Sequence, residues 1–412
     1  MNIFAIIILA ALLVDYLLGM VANLLNLKAL RLTVPEQLEG VHKPGDYHRS
    51  QEYTREATRF GFITSTFTLV VLLFFWFTGG FSLFDQWVRG WGFSSIVSGL
   101  LYIGILAAAY GLLTLPFGIY HTFGIEGRFG FNRTTPATFV MDRLKGLALA
   151  VALGGPLLAG VLALFEYAGS YAWVYAWLAV TLVTLAIQFI APIWIMPLFN
   201  RFTPMPAGEL RDAILHYAHS VNFPIKNLFV VDSSKRSTRS NAFFTGFGRN
   251  KRIALFDTLI RQHTVPEIVA VLAHEVGHYK KKHVIQGSII SSIHTGVLFL
   301  LFSVFLRSGG LYEAFYVEQA SVYIGLLLFG LLYTPIEMVL GLAMHLVSRR
   351  NEYEADRFAA ETADSPSMVD ALKKLSATNL SNLTPHPFYV FLNYSHPPLL
   401  QRIKAIESAR RD

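Results

Sequence analysis

Two histidines four residues apart, with a glutamate beside the first, are the groups in this chain best suited to chemistry: His274-Glu275-Val276-Gly277-His278. On a helix that spacing sends both imidazoles off one face a turn apart, where a single zinc ion can take both, and it leaves Glu275 beside the ion without ligating it. A helix is expected because Thr264-Val265-Pro266-Glu267 has the Thr-x-x-Glu form of a capping box. Its proline falls in the first turn, where the missing N–H costs nothing. Chance alone gives His-Glu-x-x-His in roughly one or two such chains per hundred, and a buried helix with satisfied histidines is the competing reading. The helix start upstream and an acidic pair downstream weigh against it.

That pair is Glu352 and Asp356, i and i+4 on a second expected helix. Glu352 is the expected third ligand. Asp356, one turn on, is positioned to accept the second N–H of a ligand histidine and fix its tautomer. A solvated acidic face bonded to Arg349, Arg350 or Arg357 is the alternative for this pair. Cysteine is absent, so there is no thiolate ligand, thiol nucleophile or disulfide, and any metal must be held by His and carboxylate. Two His and one Glu leave a coordination position of one zinc ion open, where water is activated and a carbonyl polarised. Glu275 would take the proton from the water and pass it to the leaving amine. The implied reaction is peptide-bond hydrolysis without a covalent intermediate.

The elements that hold these residues are mostly apolar. Of 412 residues, 53% are hydrophobic and 15% charged, against about a quarter charged in an ordinary soluble domain. This excludes intrinsic disorder and argues against a single soluble core. Seven stretches reach the roughly 20 apolar residues that a bilayer core demands: 3–27, 62–84, 96–120, 146–169, 171–199, 284–306 and 320–347. The first has no basic residue ahead of it and no small-residue cleavage site after it, and reads as a retained span rather than a signal peptide. Of the 34 Lys and Arg, 32 fall in alternate connecting segments and the C-terminal tail. By the positive-inside rule that side is cytoplasmic, with the N-terminus outside and the C-terminus inside. His278 and Glu352 are 74 positions apart, with two crossings between them, so both halves of the metal site return to the same face.

The formal charge of +7 is shared among four cytoplasmic segments instead of forming one aromatic-interleaved face, so nucleic acid is not an expected partner. Asp15, Gln188, His294, Glu337 and His345 lie inside spans. They would face a bundle interior or a hydrated cavity, unless Asp15 and Glu337 merely snorkel or pair with a neighbouring helix. The segment Asn241-Ala242-Phe243-Phe244-Thr245-Gly246-Phe247 alternates small and aromatic residues and reads as a β-strand. Its edge could pair with an extended substrate, or it could be a hairpin strand packed on the zinc helix.

The expected fold is an all-α multi-pass membrane protein of seven transmembrane helices with a small α+β cytoplasmic metalloprotease part. Residues 1–199 would hold spans one to five, and 200–283 a catalytic loop domain with the His274 to His278 helix. Residues 284–347 would hold spans six and seven, and 348–412 a cytoplasmic segment completing the zinc site.

With these residues in hand, the chain resembles the type-I CAAX prenyl protease family of integral-membrane zinc metalloendopeptidases. The likeness runs through Leu38-Glu39-Gly40 to Ser50-Gln51-Glu52-Tyr53, Gly130-Phe131-Asn132-Arg133-Thr134-Thr135-Pro136, Asn241 to Phe247, His274 to His278, Ser348-Arg349-Arg350-Asn351-Glu352 with Ala355-Asp356, and Ser395-His396-Pro397-Pro398 with Arg402. The resemblance implies a helical barrel around a large intramembrane chamber, with one zinc ion at its cytoplasmic end held by His274, His278 and Glu352. It implies Glu275 as catalytic base, His396 as a contact to substrate or tetrahedral intermediate, Arg402 beside it, and substrate pairing at Asn241 and Ala242 on the strand that also carries Phe244. Taken alone, His396 before two prolines could simply end a loop. The expected partners are a peptide or protein substrate, prenylated or otherwise membrane-associated, and membrane lipid. The membrane would be the inner membrane in a bacterium or the endoplasmic reticulum in a eukaryote. A broader quality-control zinc protease is the alternative within the enzyme class. A transporter or channel is the distant one, and it leaves the His274, His278, Glu352 set unexplained.

Overall fold

Runs of apolar residues form helices here because a bilayer cannot satisfy an unpaired backbone group. In a computed structural model of the chain, residues 1–31, 33–34, 36, 44–245 and 251–409 are described; Leu38 to Gly40, Gly246 and Phe247 of the expected strand, and Arg410 to Asp412 lie outside them. The membrane part opens with α1 (Ile3–Lys28), α2 (Pro44–Phe77), the short α3 (Gly80–Arg89) and α4 (Ser95–Ile119). It continues with α5 (Pro136–Leu149), α6 (Gly155–Tyr167), α7 (Ala172–Ile190) and α8 (Met196–Phe199). A π-helical stretch, Tyr120–Glu126, prolongs α4, and two more, Ala150–Gly154 and Ala191–Ile195, join α5 to α6 and α7 to α8. Six continuous stretches among the described residues are long and apolar enough to cross a membrane, and a bent pair of helices makes up to seven. Phe74, Leu112 and Trp194 are 69%, 69% and 74% exposed, an apolar surface that lipid covers and water would not tolerate.

Four spans differ from the sequence expectation: the third runs on to Glu126 instead of ending at 120, and the second already starts at Gly45 instead of 62. The second ends at Phe77, not at residue 84, because Gly79 takes a φ of 74°, a left-handed turn that glycine adopts without strain. The fourth starts at Pro136, ten residues early, where Thr135 caps it by accepting from the Thr138 N–H at 3.1 Å. The seventh is not one helix. It breaks at Tyr333 into α14 (Val322–Leu332) and α15 (Thr334–Thr362), bent by 56°. Pro335 sits in the first turn of α15 and has no N–H to carry the α14 ladder across the break.

Beyond the spans, β1 (Phe202–Pro204), α9 (Glu209–Ser220), β2 (Ile225–Val231), β3 (Ala242–Thr245) and β4 (Lys251–Phe256) precede α10 (Asp257–Gln262) and α11 (Val265–Lys280). The sheet order is β1-β2-β4-β3. β2 and β4 run parallel, while β1 and β3 pair antiparallel at the two edges. The chain re-enters the membrane as α12 (His283–Phe305), turns through α13 (Gly309–Glu313) and returns by α14 and α15. It closes with α16 (Ser365–Thr378), α17 (Pro387–Asn393) and α18 (Leu399–Ala409).

Two cores result. One lies among the spans around Trp76, Tyr102, Phe302, Phe315 and Phe329. The other joins the sheet to α9, α11, α15 and α16 through Ile214, Ile253, Leu255, Leu272, Val276, Ala359 and Met368. Buried Asn26, near the end of α1, accepts from Asn382 Nδ2 at 3.2 Å and from the His386 N–H at 3.1 Å, which ties the first span to the last segment. Of the polar residues expected inside spans, Glu337 on α15 lies 3.0 Å from His294 on α12, the pairing alternative for that residue.

Candidate metal centre

α11 starts where the capping box put it. The Thr264 N–H donates to Glu267 Oε2 at 3.0 Å, and Lys374 of α16 holds the same carboxylate at 2.6 and 2.9 Å. This fixes the first turn of the helix that carries His274, Glu275 and His278. α15 crosses it at very short range. A Cβ built on Gly277 would sit 3.0 Å from Ala355 Cα and 3.1 Å from its carbonyl oxygen, so glycine is what lets the two backbones touch. That closeness carries Glu352, one turn before Ala355, in between the histidines.

The three side chains converge on one point. His274 Nε2 and His278 Nε2 are 3.1 Å apart, and the Glu352 oxygens lie 3.5 Å from the first and 3.3 Å from the second. A tetrahedral ion with bonds of about 2.0 to 2.1 Å separates its donors by about 3.3 to 3.4 Å, so the set fits a metal ion. Two further observations agree. Glu352 Oε2 is buried without a hydrogen-bond partner, the Arg402 guanidinium standing off at 3.6 Å, and a buried acceptor left unpaired costs free energy that a bound ion would offset. The Asp356 and Glu352 carboxylates lie 2.9 and 3.5 Å from the His274 ring with one guanidinium, Arg402, between them, so negative charge is in excess in the pocket.

Each histidine is also held from behind. His274 Nδ1 lies 2.9 Å from Asp356 Oδ1, and Arg402 of α18 grips both Asp356 oxygens at 2.6 and 2.8 Å. Asp356 is only 1% exposed and Arg402 13%, so this is a buried, bidentate, charge-assisted pair. Arg402 Nη2 is 3.6 Å from Glu352 Oε2; its guanidinium is spent on the two carboxylates. On the other side, His278 Nδ1 meets His283 Nδ1 at 3.0 Å, and His283 Nε2 lies 3.3 Å from Glu354 Oε2. Sequence reasoning missed His283 and Glu354; the available signal was a third histidine five residues after His278 and a second acid between Glu352 and Asp356.

His396 comes to the open side. Its Nε2 is 3.3 Å from Glu352 Oε1, with 64% of the side chain exposed, and Ser395 Oγ lies 2.9 Å from its Nδ1. A Ser395 hydroxyl donating there leaves the ring proton on Nε2. Glu275 is half-buried. Burial pushes its carboxyl above the ordinary range, with the Glu352 charge adding to it and His274, His278 and Arg402 pulling the other way.

The strand is present at Ala242–Thr245, and both of its alternative readings have a counterpart. Phe244 packs edge-on against Phe223 and Tyr279, with ring centroids 6.2 and 6.0 Å away, so its ring belongs to the core beside α11. The Phe256 N–H donates to the Asn241 carbonyl at 3.1 Å, and Phe243 pairs with Ala254. In an antiparallel ladder the N–H and C=O of Ala242 and Phe244 then point to the opposite edge, which no described strand covers. The Ala242 N–H is met there by Asn241 Oδ1 at 2.8 Å.

A multi-pass helical scaffold that brings a His-Glu-x-x-His helix against a glutamate-bearing helix defines an integral-membrane metallopeptidase. The comparisons give the family. Residues 23–201 match the family described as CAAX prenyl protease N-terminal, five membrane helices, and residues 204–410 match peptidase family M48. The chain is 37% identical over 393 residues to a CAAX prenyl protease 1 homolog of Oryza sativa, covering 93% of this chain and 92% of that one. It is 35% identical to CAAX prenyl protease 1 of Saccharomyces cerevisiae, covering 91% and 88%. The crystal structure of S. mikatae Ste24p superposes with a TM-score of 0.94 at 33% identity, covering 99% of this chain and all of that one. The chain belongs to the CAAX prenyl protease family within the M48 metallopeptidases.

Proposed function

We propose that this protein is a zinc endopeptidase that cuts prenylated CAAX proteins near their C-terminus, with its site open to the cytoplasm. The observation that carries the reading is the convergence of His274 Nε2 and His278 Nε2, 3.1 Å apart, on the Glu352 carboxylate, whose Oε2 lies 3.5 Å from the first and whose Oε1 lies 3.3 Å from the second. The substrate class is supported by the names of relatives that align over nine-tenths of the chain. The cytoplasmic side is supported by the 32 of 34 Lys and Arg in segments on the same side as the site. The membrane is then the endoplasmic reticulum in a eukaryotic host and the inner membrane in a bacterial one.

Zinc, when bound by these three residues, supplies Lewis-acid polarisation of the scissile carbonyl and of the attacking water. Glu275 takes one proton from that water and delivers it to the leaving amine, so that the water's hydroxyl ends in a new carboxylic acid and its proton in a new amine. Burial shifts the Glu275 carboxyl upward, the direction that makes a carboxylate a stronger proton acceptor. The His396 Nε2 proton faces the reacting centre and donates to the developing oxyanion. Asp356 and Arg402 act through His274 as positioning residues. The substrate lies extended along β3 and bonds to the main chain of Ala242 and Phe244, beside Asn241.

The test is cleavage of a farnesylated CAAX peptide by the full-length protein, with zinc content measured alongside. Glu275→Gln should keep its zinc and lose about 100- to 10,000-fold in turnover, the usual worth of a positioned base. A wild-type protein that binds no zinc, or a Glu275→Gln variant that cuts normally, would refute the mechanism. Equal cleavage of the unprenylated peptide would refute the substrate class alone.

A further inference from the structure

The two ligand histidines differ in what stands behind them, and only one support was expected. His274 has the Asp356 carboxylate. His278 has another histidine. His283 is the first residue of α12, three residues past the end of α11, and is 8% exposed. Lys282 between the two helices takes a φ of 62°, a left-handed conformation that costs a non-glycine residue free energy. That turn reverses the chain so that the His283 ring meets the back of the His278 ring, with centroids 5.1 Å apart and planes at 73°. Behind His283, Glu354 Oε2 lies 3.3 Å from Nε2, and Arg350 Nε donates to the other Glu354 oxygen at 3.1 Å.

Proton bookkeeping along this row has one solution. His278 Nε2 is among the three converging donor atoms, so it offers its lone pair and its proton is on Nδ1. The contact between the two Nδ1 atoms, 3.0 Å long, then needs an acceptor on His283. Its Nδ1 is therefore bare and its proton is on Nε2, which faces Glu354. Carboxylate, imidazole and imidazole each have a partner of the right sense, and no group in the row needs an extra proton. The contact also separates His283 from the ligands themselves, since it touches the rear nitrogen of His278 and not the ion-facing one.

We infer that His283, oriented by Glu354, is a positioning residue that accepts the His278 Nδ1 proton and so fixes the tautomer and ring plane in which His278 Nε2 can bind the metal. α11 and α12 are thereby coupled at the junction where the chain re-enters the membrane. The inference rests on the reading that His274, His278 and Glu352 hold an ion.

Zinc affinity of the full-length protein, measured by competition with a chromophoric chelator, tests it without relying on turnover. His283→Ala and the near-isosteric His283→Phe should each weaken zinc binding about 10- to 100-fold, the usual effect of removing such a support. His283→Asn places an amide oxygen where Nδ1 was and should recover most of that loss, and Glu354→Gln, which keeps an acceptor, should fall less than Glu354→Ala. A thermal melt of each zinc-free variant separates loss of fold from loss of affinity. Cobalt in place of zinc gives a second readout, because a reoriented imidazole changes its visible ligand-field bands. Zinc binding as tight in His283→Phe as in wild type would overturn the inference, and so would a His283→Asn variant as weak as His283→Phe with its melt intact. If wild type itself bound no zinc, the proposed function would fail first.

Discussion

Removing the Asp356 carboxylate separates what orients His274 from what holds the fold. In Asp356→Ala, His274 loses its 2.9 Å acceptor, which should cost about 10- to 100-fold in zinc affinity, or about 1.4 to 2.8 kcal/mol. Arg402 loses both of its short contacts, at 2.6 and 2.8 Å, while 13% exposed. An unpaired buried charge typically costs about 3 to 5 kcal/mol of stability. Glu352 at 3.6 Å partly replaces the lost counter-charge, so the lower end is expected. That replacement has its own effect: a guanidinium drawn to Glu352 competes with the metal for the same oxygens and pushes the affinity loss toward 100-fold. The double variant Asp356→Leu with Arg402→Met removes both charges, and an apolar exchange of a buried pair is often neutral for stability. It should melt near wild type and still bind zinc weakly. Chelator competition and thermal melts of the two variants form the assay. The reasoning is refuted if Asp356→Ala binds zinc within twofold of wild type, or if the double variant regains affinity together with stability.

Three further outcomes are expected. His396→Ala should lower turnover of a farnesylated peptide about 100- to 1,000-fold, the usual loss when an oxyanion donor is removed, with zinc content unchanged; unaltered turnover would remove it from the mechanism. Gly277→Ala places a methyl 3.0 Å from Ala355 Cα, and forcing α11 from α15 should cost about 1 to 3 kcal/mol and weaken zinc binding, readable as a melt and a titration. Lys374→Met should cost about 1 kcal/mol near neutral pH, because Lys374 is 44% exposed and its charge is screened. Burial raises the Glu267 carboxyl, but Lys374 and the Thr264 N–H outweigh it and hold it below 4.5. A depressed carboxyl stabilises fully above its unfolded value, so the gap between wild type and Lys374→Met should persist above about pH 4.5 and shrink as pH falls through the lowered value. A gap that widened on acidification would contradict this.

The candidate metal ligands were legible in the sequence because their chemistry constrains spacing: i and i+4 is one of the few short separations that can serve one ion from one helix face. Thr264 and Glu267 were legible for the same reason, since a cap is local. Glu352 followed from counting crossings, a topological argument that needs no contact map. The rest depended on packing or on hydrogen bonds, which hydropathy does not record. An apolar window runs straight across Tyr333 although Pro335 interrupts the ladder there, and it runs across Gly79 although the helix has ended. The Phe244 ring could have faced either way, because alternation gives a strand two faces without saying which is buried. His283 escaped notice because it lies past a helix end, where periodicity stops being a guide and the φ of Lys282 decides what its ring meets.

The separation of the ligands along the chain also bears on when the protein becomes active. His278 and Glu352 are 74 positions apart, and α12, α13 and α14 lie between the two ligand helices. During synthesis the first two donors emerge long before the third, which arrives only after both intervening membrane passes have been made. Arg402, later still, closes the row behind His274. A growing chain therefore lacks the full set of candidate ligands until α15 has followed α12, α13 and α14 out of the ribosome, so a nascent, half-inserted chain has no complete centre for hydrolysis.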